Sequence, residues 1–163
     1  MPSQDIERRE ICRIGRSLFE RGYVHATAGN ISVRLDESQG GGFLITPTDA
    51  CLGFLAPERL AWVDADGELR SGERASKTLA LHRRLYAAAP EARCILHTHS
   101  SHLVALTLQG VWSPADIVPP LTPYYVMKVG EDSVFKRPFS FPVAPRTRRP
   151  TRLSRCLKVA EIR

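Results

Sequence analysis

His97-Thr98-His99 sets two imidazoles two positions apart. On an extended strand such residues project to one face, so both rings can reach one ion, and imidazole suits a borderline metal such as zinc. Two ligands are not a catalytic site, which takes three protein ligands and an open position, and an H-x-H pair also serves packing. Thr27-Ala28-Gly29-Asn30-Ile31-Ser32 places glycine and asparagine just before an alternating segment. Bare amides there can face an anion, or simply make a tight turn. Thr46-Pro47-Thr48 and Ser71-Gly72 are loops rich in small hydroxyl donors. Lys77 stands at the start of a predicted helix, where its charge opposes the dipole and gains nothing structurally. An anion held by Ser76, Lys77 and helix amides accounts for it; plain exposure does so too. His82 shares an apolar helix face with Leu79 and Leu85, which marks a core residue or a support for a ligand rather than a ligand. His25 and His102 fall in no pattern.

The elements that must position these groups follow from periodicity. Ile6, Ile11, Ile14, Leu18 and Phe19 recur at helical spacing over residues 5–21, and Gly22 follows as a C-terminal stop. Ile31, Val33 and Leu35 alternate with polar residues, three glycines interrupt, and Phe43 and Ile45 alternate again, which predicts a two-stranded hairpin. A third strand near Ala61 to Asp64 meets an Asp66-Gly67 turn before Glu68 to Arg70. Residues 76–88 read as a helix with Ser76 as N-cap, ended by Pro90. Arg93 to Thr98 reads as a buried strand, and Ser101 to Leu108 as a helix stopped by Gly110. Strands mixed with helices imply a layered α/β or α+β domain.

Composition bounds the class. The 163 residues are 43% hydrophobic and 25% charged, which is ordinary for a globular protein and excludes collagen-like, disordered and disulfide-scaffold chains. No window reaches the roughly 18 apolar residues of a spanning helix, and MPSQDIERREICRIGR lacks a secretory apolar stretch, so a cytoplasmic protein with no membrane partner is expected. Cys12, Cys51, Cys94 and Cys156 form no C-x-x-C pair and read as reduced, mostly buried thiols. The net charge of +6 is unevenly placed: acids and bases balance through residue 130, and residues 131–163 hold nine bases against three acids. Four prolines in that tail predict mostly irregular chain, with a short helix near Leu153 to Ile162. Its phenylalanines, Phe135, Phe139 and Phe141, lie ahead of the arginine run rather than among it, so a nucleic-acid partner is not expected.

In order, AGNISVR, ITPTD, SGERASKTLALH and ILHTHS resemble the class II aldolase/adducin family, whose aldolases are zinc-dependent. Ser76-Lys77, CLG at 51–53 and LTPYYVMKVG at 121–130 are most similar to the branch that decarboxylates 3-oxo-tetronate 4-phosphates. The resemblance covers about residues 5–130. It implies a layered αβα fold with a mixed sheet, usually a homo-tetramer, and a carbon–carbon lyase acting on a small phosphorylated sugar acid. By it, His97 and His99 match two of three zinc-ligand histidines, while Gly29, Asn30, Thr48, Ser76 and Lys77 match positions that hold substrate phosphate. Three departures stand out. Thr78 occupies the position of the catalytic glutamate, and Asp49 that of a phosphate-loop glycine. After Gly130 nothing resembles the segment that supplies the third histidine, and no histidine follows His102. The domain is therefore expected over 1–130 and C-terminally incomplete, with 131–163 a basic tail left by a frameshift, a truncation or a replacement. The zinc site is then short of a ligand. The rival readings are an adducin-like interaction module without catalysis and an inactive truncated paralogue.

Overall fold

A computed structural model describes residues 4–108 and 156–160 of the chain. Helix α1, Asp5–Glu20, opens with Asp5 and Glu7 in its first turn, where carboxylates complement the helix dipole. It turns Ile11, Ile14 and Leu18 into the core. Gly22 ends it at φ +72. The Tyr23 amide reaches the Leu18 carbonyl at 2.9 Å and the Gly22 amide the Phe19 carbonyl at 3.0 Å, the paired bonds of a Schellman stop.

The strands are β1 Asn30–Arg34, β2 Phe43–Ile45, β3 Ala61–Val63, β4 Leu69–Ser71, β5 Cys94–Thr98 and β6 Cys156–Ala160. They lie in one sheet in the order β4-β3-β2-β1-β5-β6. Every pairing is antiparallel except β5 with β6, so the sheet is mixed. Helices α2, Leu79–Ala88, and α3, Ser101–Leu108, and short 3-10 turns at Glu37–Gln39, Leu52–Phe54 and Pro57–Arg59 complete the described elements.

Strand alternation divides β1 between two environments. Ile31, Val33 and the following Leu35 pack with α1, Leu44, Leu52 and Leu60. The intervening Ser32 and Arg34 turn to α2. Leu85 and Tyr86 of α2, with Ala89 just past its end, close on Ile95 and Ala92, and Phe43 is stacked on the Tyr86 ring at 4.9 Å. Arg34 clamps this helix, donating to the Tyr86 and Pro90 carbonyls at 2.7 and 2.8 Å with its guanidinium 4.7 Å from the Tyr86 ring centroid. A helix thus covers each face of the sheet, and each fully buried Leu or Ile contributes about 1.5–3 kcal/mol to holding it there.

Four expectations are corrected. The second helix starts at Leu79 rather than residue 76, and Thr78 precedes it without a side-chain cap. Ser76 instead gives its amide to the Thr46 carbonyl at 3.1 Å, beside the Pro47–Ala75 bridge, so backbone pairing draws it out of the helix. The predicted tail helix near 153–162 is replaced by β6 along the edge of β5, where Leu157 and Val159 suit a strand. Cys94 is disulfide-bonded, whereas Cys12 and Cys51 are free and half-buried. The boundary expected at residue 130 and the irregular chain expected over 131–155 lie outside the described residues.

Candidate active site

On the α2 side of the sheet a run of polar side chains is buried at the meeting of β1, β5 and α2. Asn30, Ser32, His82 and His97 are 7%, 0%, 1% and 1% exposed. Register places Asn30 beside His97, and one turn of α2 separates His82 from Tyr86. The Tyr86 hydroxyl lies 2.8 Å from Ser32 Oγ, which lies 2.7 Å from His82 Nδ1. His82 Nε2 lies 2.5 Å from Asn30 Oδ1, and the same oxygen lies 3.2 Å from His97 Nδ1. Burial, reinforced by His97, pushes the His82 pKa down to about 3, so its ring is neutral. Burial pushes the Tyr86 phenol upward, so it keeps its proton and can donate it.

The two histidines of the H-x-H pair come together, with ring centroids 5.0 Å apart. His99 follows the end of β5 and is half-buried. The Asn30 carbonyl oxygen accepts from Nδ1 of His97, which makes Nε2 that ring's basic nitrogen. By this donor chemistry the pair fits a borderline divalent ion as two of its ligands. Among the described residues no group of three or more His, Cys, Asp or Glu gathers as a complete set. His25 and His102 are exposed.

The anion-binding candidates are gathered by backbone bonds around Thr46. Its hydroxyl accepts the Ile31 amide at 3.2 Å, its amide reaches the Ile31 carbonyl at 3.0 Å, and its carbonyl accepts the Ser76 amide. Thr48 gives its amide to the Arg74 carbonyl at 2.9 Å. The turn at Gly29–Asn30, the loop at Thr48 and the turn at Ser76–Lys77 therefore share one end of the sheet. Gly29 is required there: its φ is +86, and a Cβ would stand 2.8 Å from the His97 carbonyl oxygen. Lys77 is exposed and reaches the Asp49 carboxylate at 3.4 Å, so the acid that stands in the loop pairs with the lysine expected to hold an anion. Thr78 is half-buried with its hydroxyl 2.9 Å from Ser76 Oγ.

Sequence reasoning found the histidine pair and the loops but passed over Ser32 and Tyr86. No local signal marked Ser32, whose alternation with Ile31 and Val33 is that of a solvent-facing position; its burial comes from α2.

A family model described as the class II aldolase and adducin N-terminal domain matches residues 9–155. The chain belongs to this family, and its layered mixed sheet is the class II aldolase fold. The 3-oxo-tetronate 4-phosphate decarboxylase of Cupriavidus necator is 59% identical over 130 residues, covering 80% of this chain and 58% of that protein. The protein of the same name from Haemophilus influenzae is 41% identical over 143 residues, covering 87% and 66%. The chain thus spans about three-fifths of the length of these relatives. Among solved structures, YgbL from Klebsiella pneumoniae superimposes with a TM-score of 0.67 at 46% identity over 76% of this chain and 58% of its own. L-fuculose-1-phosphate aldolase from Thermus thermophilus does so with 0.59 at 32% over 74% and 56%.

Proposed function

We propose that this chain carries the substrate-binding half of a zinc-dependent carbon–carbon lyase that decarboxylates a 3-oxo-tetronate 4-phosphate to dihydroxyacetone phosphate. The observation that carries the reading is the convergence around Thr46 of the Gly29–Asn30, Thr48 and Ser76–Lys77 segments, at the end of the sheet where Asn30 meets His97. The names of the Cupriavidus and Haemophilus relatives support the reaction class.

In this reading Gly29, Asn30, Thr48, Ser76 and Lys77 hold the phosphate, and His97 and His99 supply two metal ligands. A bound divalent ion stabilises negative charge as it develops on substrate oxygens. The bond between the carboxylate carbon and C2 breaks, carbon dioxide leaves, and its electron pair passes into the adjoining carbonyl. A proton from water then completes dihydroxyacetone phosphate. No base is needed for the first step, so Thr78, which cannot exchange protons as a carboxylate does, is tolerated. A homo-oligomer, acting in the cytoplasm, would let a neighbouring subunit complete the ligand set.

Purified chain incubated with Zn²⁺ and a 3-oxo-tetronate 4-phosphate tests this directly. Stoichiometric release of carbon dioxide and dihydroxyacetone phosphate supports it. No product at any metal loading favours the adducin-like interaction module.

A further inference from the structure

We infer that Tyr86, Ser32 and His82 form a proton-ordered hydrogen-bond chain that positions His97, by way of Asn30, with its Nε2 as the metal-binding nitrogen. This rests on the reading of His97 as a ligand, but the order of protons follows from this chain's own contacts. Asn30 Oδ1 can only accept, so His82 meets it with a proton on Nε2, accepts at Nδ1 from Ser32 Oγ, and leaves Ser32 to accept from the Tyr86 phenol, 2.8 Å away. Ser32 donates its proton across 2.7 Å to His82 Nδ1. The His82 Nε2 proton meets Asn30 Oδ1 at 2.5 Å. The Asn30 amide is locked with its oxygen toward both rings, so Nδ1 of His97, 3.2 Å from that oxygen, must be its N–H. The lone pair of His97 then sits on Nε2. The second nitrogen of a metal-binding histidine ordinarily donates to a neighbouring acceptor, and here that acceptor is set from a helix two side chains further back. The same lock makes Nδ2 the donor end of Asn30, the end that an anion at the Gly29–Asn30 turn needs.

Tyr86, Ser32 and His82 are positioning residues, and the array predicts a defined failure. Without the Ser32 hydroxyl, His82 can move its proton to Nδ1, the Asn30 amide can turn its Nδ2 toward the rings, and the His97 proton is driven to Nε2. Long-range ¹H–¹⁵N correlation spectra of the metal-free full chain, labelled at histidine, read these tautomers without any activity measurement. The wild type should show His97 protonated at Nδ1 and His82 at Nε2. Ser32→Ala should populate the opposite His97 tautomer and weaken Co²⁺ binding about tenfold or more. Ser32→Thr should restore both readouts, and Tyr86→Phe, which leaves the Ser32 proton in place, should lie between and serves if Ser32→Ala does not fold. His97 protonated at Nε2 in the wild type overturns the inference. So does a Ser32→Ala chain with unchanged tautomers and unchanged Co²⁺ affinity. The expected tautomers in a wild-type chain that binds no Co²⁺ would overturn the metal reading alone and leave the proton order standing.

Discussion

Acidification should unfold this chain through His82 before its carboxylates respond. Its ring is 1% exposed and spends both nitrogens on Ser32 and Asn30, so a second proton has no place in the fold. Burial, with His97 adding to it, lowers the pKa from 6.5 to about 3. The unfolded chain takes up that proton below 6.5 while the folded chain refuses it down to about 3. The contribution is therefore complete above pH 6.5, shrinks as pH falls through that window, and is gone below about 3. At about pH 5 the loss covers one and a half pH units at about 1.4 kcal/mol each, roughly 2 kcal/mol, a large share of an ordinary domain's stability. Glu10 and Glu73 are held low by arginine partners and Asp64 first by the Glu68 amide. Their losses begin as pH falls to the unfolded carboxylate values of 4.5 and 3.8, below the pH of about 5 at which the His82 loss is read. Urea unfolding followed by far-UV circular dichroism at about pH 7 and about pH 5 measures the difference. His82→Gln, which cannot take up the proton, should remove most of that pH dependence whatever it does to stability at neutral pH. An equal acid loss in wild type and variant would refute the reasoning.

Three further outcomes follow. Thr78→Glu restores a carboxylate to the turn beside Ser76, and with Zn²⁺ it should raise aldol cleavage of a sugar phosphate about 10²-fold while changing decarboxylation less than about tenfold; equal stimulation of both would show that this position is not the proton donor. Asp49→Gly releases Lys77 from its surface partner and relieves a φ of +55, so calorimetry should show inorganic phosphate binding about threefold more tightly, and unchanged affinity would mean the pair does not compete with the anion. Gly29→Ala forces a Cβ onto the His97 carbonyl at a left-handed φ and should lower stability by about 2 kcal/mol or more in thermal unfolding; a wild-type melting temperature would show the turn is free to adapt.

Much of this fold is legible because one face of β1 is written in large apolar residues. Ile31, Val33 and Leu35 alternate as a half-buried strand should, and the spacing of Ile11, Ile14 and Leu18 matches the helix that covers them. The opposite face is harder. Asn30 and Ser32 look like solvent-facing polar positions, and only the arrival of α2 with His82 and Tyr86 turns them into a buried chain. His82 itself was readable as a core or supporting residue from its helix face. The start of α2 was not, since Ser76 is an ordinary N-cap type and only its bond to Thr46 removes it from the helix. The β6 strand was equally hidden: its partner is β5, far away in sequence, and the prolines before it argued for irregular chain. The histidine pair was found by spacing alone, but its partner Asn30 came from register, which no local pattern states.

The central claim is that the histidine pair and the three anion-binding segments serve one bound molecule. Paramagnetic relaxation of the ³¹P signal of dihydroxyacetone phosphate by Mn²⁺, measured on the full chain, tests whether metal and phosphate sit together. Strong protein-dependent broadening is expected, lost in His97→Ala and in Lys77→Ala but retained in His25→Ala, a change at an exposed ring outside the site. Broadening that is absent from the wild type, or that survives His97→Ala undiminished, would contradict the claim.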